Sequence, residues 1–268
     1  MISYPPAKIN LGLSVIGRRA NGYHDIETVF VPILLTDILE IVPSSQADLR
    51  LSTSGIAIPE GPNLIEKAYA LVNEEYGIGG VYAHLHKRIP MGAGLGGGSA
   101  DGAYTLRMLK DIFNLPTGDF WQEAAVKLGA DCAFFLQDAP MSASGIGELL
   151  SPVSVSTSGL GIVLIYPGVH VSTAEAYQSI SPCRPILLPK EVVKLPLGEW
   201  KEKLVNDFEK PVFAKHPVLS DIKEKLYREG AAYAAMSGSG STIFGLFEGD
   251  IPNFQAIFPS YFVHGSRL

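Results

Sequence analysis

Between Pro90 and Ala100 the chain reads Pro-Met-Gly-Ala-Gly-Leu-Gly-Gly-Gly-Ser-Ala, with five glycines in the seven positions from Gly92 to Gly98. Packing does not call for this, because each glycine costs about 0.5–1 kcal/mol of chain entropy relative to alanine. Close approach of bare backbone to a ligand does. The loop follows a segment that alternates like a strand, Val81 to Ile89, and precedes one with helical spacing, Ser99 to Phe113. Amide groups at the start of a helix, with the helix dipole behind them, favour phosphate. Ser99 then stands where a hydroxyl reaches the phosphates or their metal ion. Gly92-x-Gly94-x-x-Gly97 also fits the dinucleotide fingerprint, with Asp111 about 20 residues further on. That fit would make the chain a nicotinamide-dependent oxidoreductase, but Pro90 separates strand from loop and regular βαβ alternation is missing. A triphosphatase loop closing on Gly-Lys is excluded, since the chain has no Gly-Lys pair. A second loop, Ser237-Gly238-Ser239-Gly240-Ser241-Thr242, reads alone as a hairpin turn. Two loops of glycine and hydroxyl residues in one chain favour a shared anion.

Other residues carry chemistry less distinctly. Lys8 sits between Ala7 and Ile9 on an apolar strand, an uncomfortable place for an ordinary surface lysine. Asn10 shares its strand face by the period of two. Asp131 stands at the edge of the apolar run Cys132-Ala133-Phe134-Phe135-Leu136, where a helix N-cap competes with a reactive carboxylate. Tyr23 and His24 follow the turn signal Asn21-Gly22. His84 and His86 lie two apart on a strand, but no cysteine or carboxylate cluster accompanies them, so no dedicated metal site is expected.

These groups must be held by a mixture of strands and helices. Ile26 to Val42 reads as one or two strands, and Leu49 to Pro59 as another. Asn63 can cap a helix with Glu66 as its box partner, and Gly77 can end it. Asp119 and Gln122 open a short helix that Gly129 stops. Ser151 to Gly159 is a linker or edge strand, Leu160 to Tyr166 a buried strand, and Ser172 with Glu175 a second capping box. Glu199 to Lys210 and Val218 to Glu229 read as helices, and Ala231 to Ala235 and Thr242 to Phe247 as strands around the second glycine loop. The mixture predicts an α+β chain of two parts, 1–155 and 156–268.

Composition narrows the partners. With 268 residues, 47% hydrophobic and 18% charged, and a net charge of −6 without a basic block, the chain is neither disordered nor built to wrap nucleic acid. Two cysteines, Cys132 and Cys183, are too few for a disulfide framework and predict reduced thiols in a cytoplasmic protein. The first residues lack the pattern of a signal peptide, and no apolar run approaches the ~18 residues of a membrane span.

In combination, Pro6-Ala7-Lys8-Ile9-Asn10-Leu11, Pro90 to Ala100 and Ser237 to Thr242 resemble the three motifs of the GHMP kinases, the small-molecule kinases of galactose, homoserine, mevalonate and phosphomevalonate. Asn21-Gly22-Tyr23-His24 and Gly129-Ala130-Asp131 resemble most the branch whose acceptor is cytidine-diphospho-methylerythritol, rather than homoserine or mevalonate. The resemblance implies a two-domain fold, with an N-terminal part like ribosomal protein S5 domain 2, a ferredoxin-like C-terminal part and the active site between them. It implies transfer of the ATP γ-phosphoryl to a hydroxyl of a small-molecule substrate, with Mg2+ accompanying the nucleotide. Asp131 would be the base and Lys8 its electrostatic partner. Gly92, Gly94, Leu95, Gly96, Gly97, Gly98 and Ser99 would hold the phosphates, Ser99 also touching the metal, with Asn63 and Lys87 near the adenine. Asn10, Tyr23, His24, Thr173, Tyr177, Gly238 and Ser239 would meet the acceptor, Tyr23 and Tyr177 stacking on its cytosine. Ala100 and Asp101 depart from the serine and asparagine common there. Asp101 would repel phosphate if it entered the loop, so it is expected to point away.

Overall fold

The structure is a computed structural model that describes every residue except 60, 62 and 179. In chain order the strands are β1 (Ile2–Ser3), β2 (Pro6–Arg18), β3 (His24–Thr36), β4 (Ile38–Pro43), β5 (Arg50–Gly55), β6 (Val81–Lys87), β7 (Met141–Ser144), β8 (Leu149–Pro152), β9 (Gly161–Tyr166), β10 (Tyr233–Met236), β11 (Ile243–Phe247) and β12 (Phe262–Arg267). The helices are α1 (Leu64–Tyr76), α2 (Gly97–Ile112), α3 (Phe120–Leu128), α4 (Thr173–Tyr177), α5 (Pro189–Val192), α6 (Trp200–Lys203), α7 (Glu209–Lys215), α8 (Pro217–Arg228) and α9 (Phe254–Ile257). The strands form three four-stranded sheets, ordered β1-β4-β6-β5, β2-β3-β7-β8 and β10-β11-β9-β12. β5 runs parallel to β6, whereas β4–β6, β3–β7 and β9–β11 are antiparallel. Mostly antiparallel sheets with separate helices make an α+β chain.

Two compact units emerge, each assembled from discontinuous stretches. The first comprises residues 1–7, 35–91 and 96–138; the second comprises 8–34, 92–95 and 139–268. In the first, α1 starts where Asn63 accepts from the Ile65 amide and Glu66 accepts from the Asn63 amide, and it ends at Gly77 with φ 59°. Its buried stripe is Ile65, Ala68, Tyr69 and Val72. A Cβ at Gly102 would lie 3.0 Å from that of Leu64, so the glycine lets α1 and α2 approach closely. In the second unit, Leu219, Ile222 and Leu226 of α8 pack with Val163, Ile165, Ile243 and Phe247 of the third sheet.

One predicted element is corrected. The helix read over 199–210 is broken: α6 ends at Lys203 and α7 begins at Glu209. Between them Asn206 pairs parallel with Leu13 of β2, and the Asp207 carboxylate accepts from the Val15 amide at 2.7 Å. Asn206 and Asp207 bond to backbone outside the helical pattern, the competition that disfavours both residue types inside helices.

Candidate active site

The second unit joins both glycine loops to the lysine-bearing strand. Lys8 and Asn10 of β2 are 3% and 2% exposed, although both are polar. The Lys8 ammonium donates to Asn10 Oδ1 at 2.7 Å and lies 4.9 Å from the centre of the Phe30 ring. Asn10 Nδ2 donates to Thr28 Oγ1, which donates to the Gly12 carbonyl. The Lys8 amide donates to the Leu95 carbonyl at 2.9 Å, and Ser237 Oγ donates to the Gly94 carbonyl at 2.9 Å. The Thr242 amide donates to the Ala93 carbonyl, and the Asn10 amide to Ser237 Oγ. Gly94 has φ +78°, and a Cβ there would lie 2.1 Å from the Ser237 carbonyl oxygen, so this crossing admits only glycine. A Cβ at Gly238 would come within 3.6 Å of Lys8 Nζ. The two loops thus converge on Lys8, which neither loop's own sequence reveals.

The first unit carries the rest of the first glycine loop. Gly96, at φ +70°, precedes α2, whose first turn holds Gly97, Gly98 and Ser99. A Cβ at Gly97 would meet Lys87 Nζ at 2.9 Å and Ile89 Cγ2 at 2.8 Å. The Lys87 ammonium is fully buried, bonded to Asp37 and, at 2.8 Å, to Asp101. Two carboxylates thus enclose the ammonium. Asp37 also accepts from the Arg88 and Ile89 amides, at 2.6 and 2.9 Å. It is a structurally central residue that sequence reasoning missed, and its only signal is a carboxylate within an apolar β-rich run. Asp101 is bonded to Lys87, as its expected orientation away from the loop requires.

Burial, opposed by Lys87 and aided by Asp37, raises the Asp101 carboxyl from 3.8 to about 7. Its Oδ1 is buried without a hydrogen-bond partner among the described residues. Between about pH 4 and 7 the native chain therefore holds a proton that the unfolded chain has released, so this group's stabilising contribution declines as pH rises through that window. The unfolding free energy of wild type relative to Asp101→Asn is expected to fall between pH 4.5 and 7.5, as denaturant titrations at each pH will measure. A pH-independent difference would refute the assignment.

Asp131 is half-buried in the turn before Phe134–Leu136. Its neighbour Cys132 is fully buried, its thiol pushed up to about 12 by desolvation, with the Ser99 hydroxyl bonded to it. Cys132 therefore stays a neutral thiol. Asn63 Oδ1 is engaged in capping α1. At the tip of the β2–β3 hairpin the Tyr23 amide donates to Asn21 Oδ1, leaving a Tyr23 residue that is 58% exposed. The His24 ring stacks on Tyr177, with centroids 4.6 Å apart and planes 13° apart, and Tyr177 meets the edge of Phe208. Tyr177 thus presents a face to His24 where the resemblance implied a base. Thr173 Oγ1 lies 3.5 Å from Ser239 Oγ.

The profile "GHMP kinases N terminal domain" matches residues 63–145, and "GHMP kinases C terminal" matches 190–264. The chain belongs to the GHMP kinases. As a GHMP kinase it is a small-molecule kinase that uses ATP. It is 50% identical over 253 residues to the 4-diphosphocytidyl-2-C-methyl-D-erythritol kinase of Bacteroides thetaiotaomicron, covering 92% of each chain. It is 49% identical over 249 residues to the kinase of the same name from Cytophaga hutchinsonii, again covering 92% of each. A crystal structure of 4-(cytidine 5'-diphospho)-2C-methyl-D-erythritol kinase superimposes with a TM-score of 0.85 at 34% identity, covering 99% of this chain and 98% of that one. The homoserine kinase of Cytophaga hutchinsonii shares the fold at a TM-score of 0.70 and 16% identity, covering 98% of this chain and 94% of that one.

Within this GHMP kinase, then, Lys8, Asn10, Gly92, Gly94, Leu95, Gly238 and Ser239 gather in one compact unit with the His24–Tyr177 stack and Thr173. Gly96 to Ser99, Asn63, Lys87 and Asp131 belong to the other. No helix among the described residues is long and apolar enough to cross a membrane.

Proposed function

We propose that the chain transfers the γ-phosphoryl of ATP to the 2-hydroxyl of 4-diphosphocytidyl-2-C-methyl-D-erythritol, in the cytoplasm, as a step of the non-mevalonate route to isoprenoid precursors. The carrying observation is the convergence of both glycine loops on the buried Lys8–Asn10 pair, in a unit that also holds an aromatic stack suited to a base. The high identity to kinases named for that substrate supports the same reading. In functional terms residues 1–155 bind ATP and also lend Asn10, Tyr23 and His24 to the acceptor, and residues 156–268 form the rest of the substrate side.

Phosphoryl transfer passes through a loose transition state, so the protein mainly positions groups and neutralises charge. The acceptor hydroxyl loses its proton to the Asp131 carboxylate as its oxygen bonds to phosphorus. Lys8, stripped of water and oriented by Asn10, supplies a cation whose field is stronger than in water. The amides of Gly94 to Ser99 cradle the phosphates. Tyr23, His24 and Tyr177 hold the cytosine, the His24–Tyr177 stack opening to admit it. Among the described residues no group of three or more His, Cys, Asp or Glu side chains could hold a metal ion. Mg2+ would therefore be held by phosphate oxygens and water, with the partly exposed Ser99 hydroxyl as its protein contact. When bound it neutralises phosphate charge.

Assaying the purified chain with ATP and each candidate alcohol is expected to show turnover of the cytidine diphosphate ester at least 10³ times faster than of homoserine or mevalonate. Equal or faster phosphorylation of either simpler alcohol would overturn the substrate assignment.

A further inference from the structure

Apart from Phe208, whose ring edge meets Tyr177, the stretch Asn206-Asp207-Phe208-Glu209 touches none of the residues expected to contact ligand through their side chains, yet it bonds to the backbone of both elements that carry them. Asn206 is 2% exposed, and its Nδ2 donates to the carbonyls of Met236 and Gly238, each at 2.8 Å. Its Oδ1 accepts from the Phe208 amide at 2.9 Å, so the whole side-chain amide is fixed. Glu209 Oε1 accepts from the Met236 amide at 2.8 Å, and Glu209 Oε2 pairs with Lys223 at 2.5 Å. On the other side, the Leu13 amide donates to the Val205 carbonyl, the Asp207 amide to the Leu13 carbonyl, and the Val15 amide to the Asp207 carboxylate. Leu13 and Val15 continue the strand that bears Lys8 and Asn10.

We infer that Asn206 and Glu209 are positioning residues that set the orientation of the second glycine loop against the Lys8 strand. A trans peptide is planar, so its carbonyl and the following N–H point in opposite directions. With the Gly238 carbonyl held on Asn206, the Ser239 N–H is aimed away from Asn206. Gly238, at φ +58°, would otherwise turn freely, since glycine populates both signs of φ. Gly238 lies against Lys8 and Asn10, so a rotated peptide here changes the donors presented beside the reactive ammonium. Asn206 thus acts through the loop.

The kinetic part of this inference rests on the kinase reading above; the structural part does not. Asn206→Ala is expected to lower kcat about 10²-fold, the order that a misplacement of roughly 1 Å caused away from the chemistry costs, while KM for ATP stays within twofold. Glu209→Ala is expected to act in the same direction, and Glu209→Gln, which keeps the acceptor for the Met236 amide, to recover at least half of the wild-type kcat. Hydrogen exchange of a peptide spanning 236–242, followed by mass spectrometry, is expected to quicken at least tenfold in both alanine variants and to stay at the wild-type rate in Glu209→Gln. If Asn206→Ala fails to fold, the Glu209 pair decides. Exchange and kcat at wild-type values in a folded alanine variant would overturn the inference. Faster exchange in a chain whose wild type does not phosphorylate the cytidine diphosphate ester would leave the positioning role standing and remove the substrate assignment.

Discussion

Replacing Asp131 with asparagine is expected to lower kcat about 10²–10⁴-fold, the range supplied by a positioned general base, while the affinity for ATP stays within about twofold. Asparagine keeps the shape and the acceptor oxygen of the side chain but cannot take the proton of the attacking hydroxyl. The neighbouring Cys132 offers no substitute, since burial holds its thiol protonated far above neutral pH. Single-turnover kinetics at saturating ATP, with nucleotide affinity from calorimetry, separate the chemical step from binding. Turnover within a few fold of wild type would show that the proton leaves by another path.

The largest stability effect is expected at Lys87. Lys87→Met keeps the length and apolar stem but leaves Asp37 and Asp101 facing each other in a buried site without their cation. Removing one partner of a buried ion pair costs about 3–5 kcal/mol, because the remaining charge has no compensation. Denaturant unfolding is expected to show a loss of that size. The double variant Lys87→Met with Asp101→Asn is expected to recover part of it by removing one of the stranded carboxylates. A single-variant loss below about 1 kcal/mol would show that water or a rearrangement replaces the ammonium.

What could be read along the chain was decided locally. Asn63, Glu66 and Gly77 announced the bounds of α1 because a cap bonds within a turn of itself. The loop from Gly92 to Gly98 and the helix after it were legible because so many glycines so close together fit no regular element. The break between α6 and α7 was illegible because its cause lies elsewhere: Asn206 looks apt for a helix flank, but its partners are the carbonyls of Met236 and Gly238. The surroundings of Lys87 were illegible for a similar reason: only the fold discloses the carboxylates of Asp37 and Asp101 around it. The pairing of β12 with β9 likewise depends on a strand about a hundred residues upstream, and β12 alone carries no alternation strong enough to declare itself. The resemblance to the GHMP kinases gave the family, but not the groups that hold Lys8 and the second glycine loop in place.

Asn10 donates its amide to a hydroxyl 227 positions later in the chain, at Ser237. At the roughly 5–20 residues per second of synthesis, β2 and its hairpin neighbour β3 emerge tens of seconds before that hydroxyl exists. The second unit therefore cannot close until the loop from 237 to 242 has been made. A chain cut before Ser237 is therefore expected to leave the Asn10 amide without its hydroxyl partner.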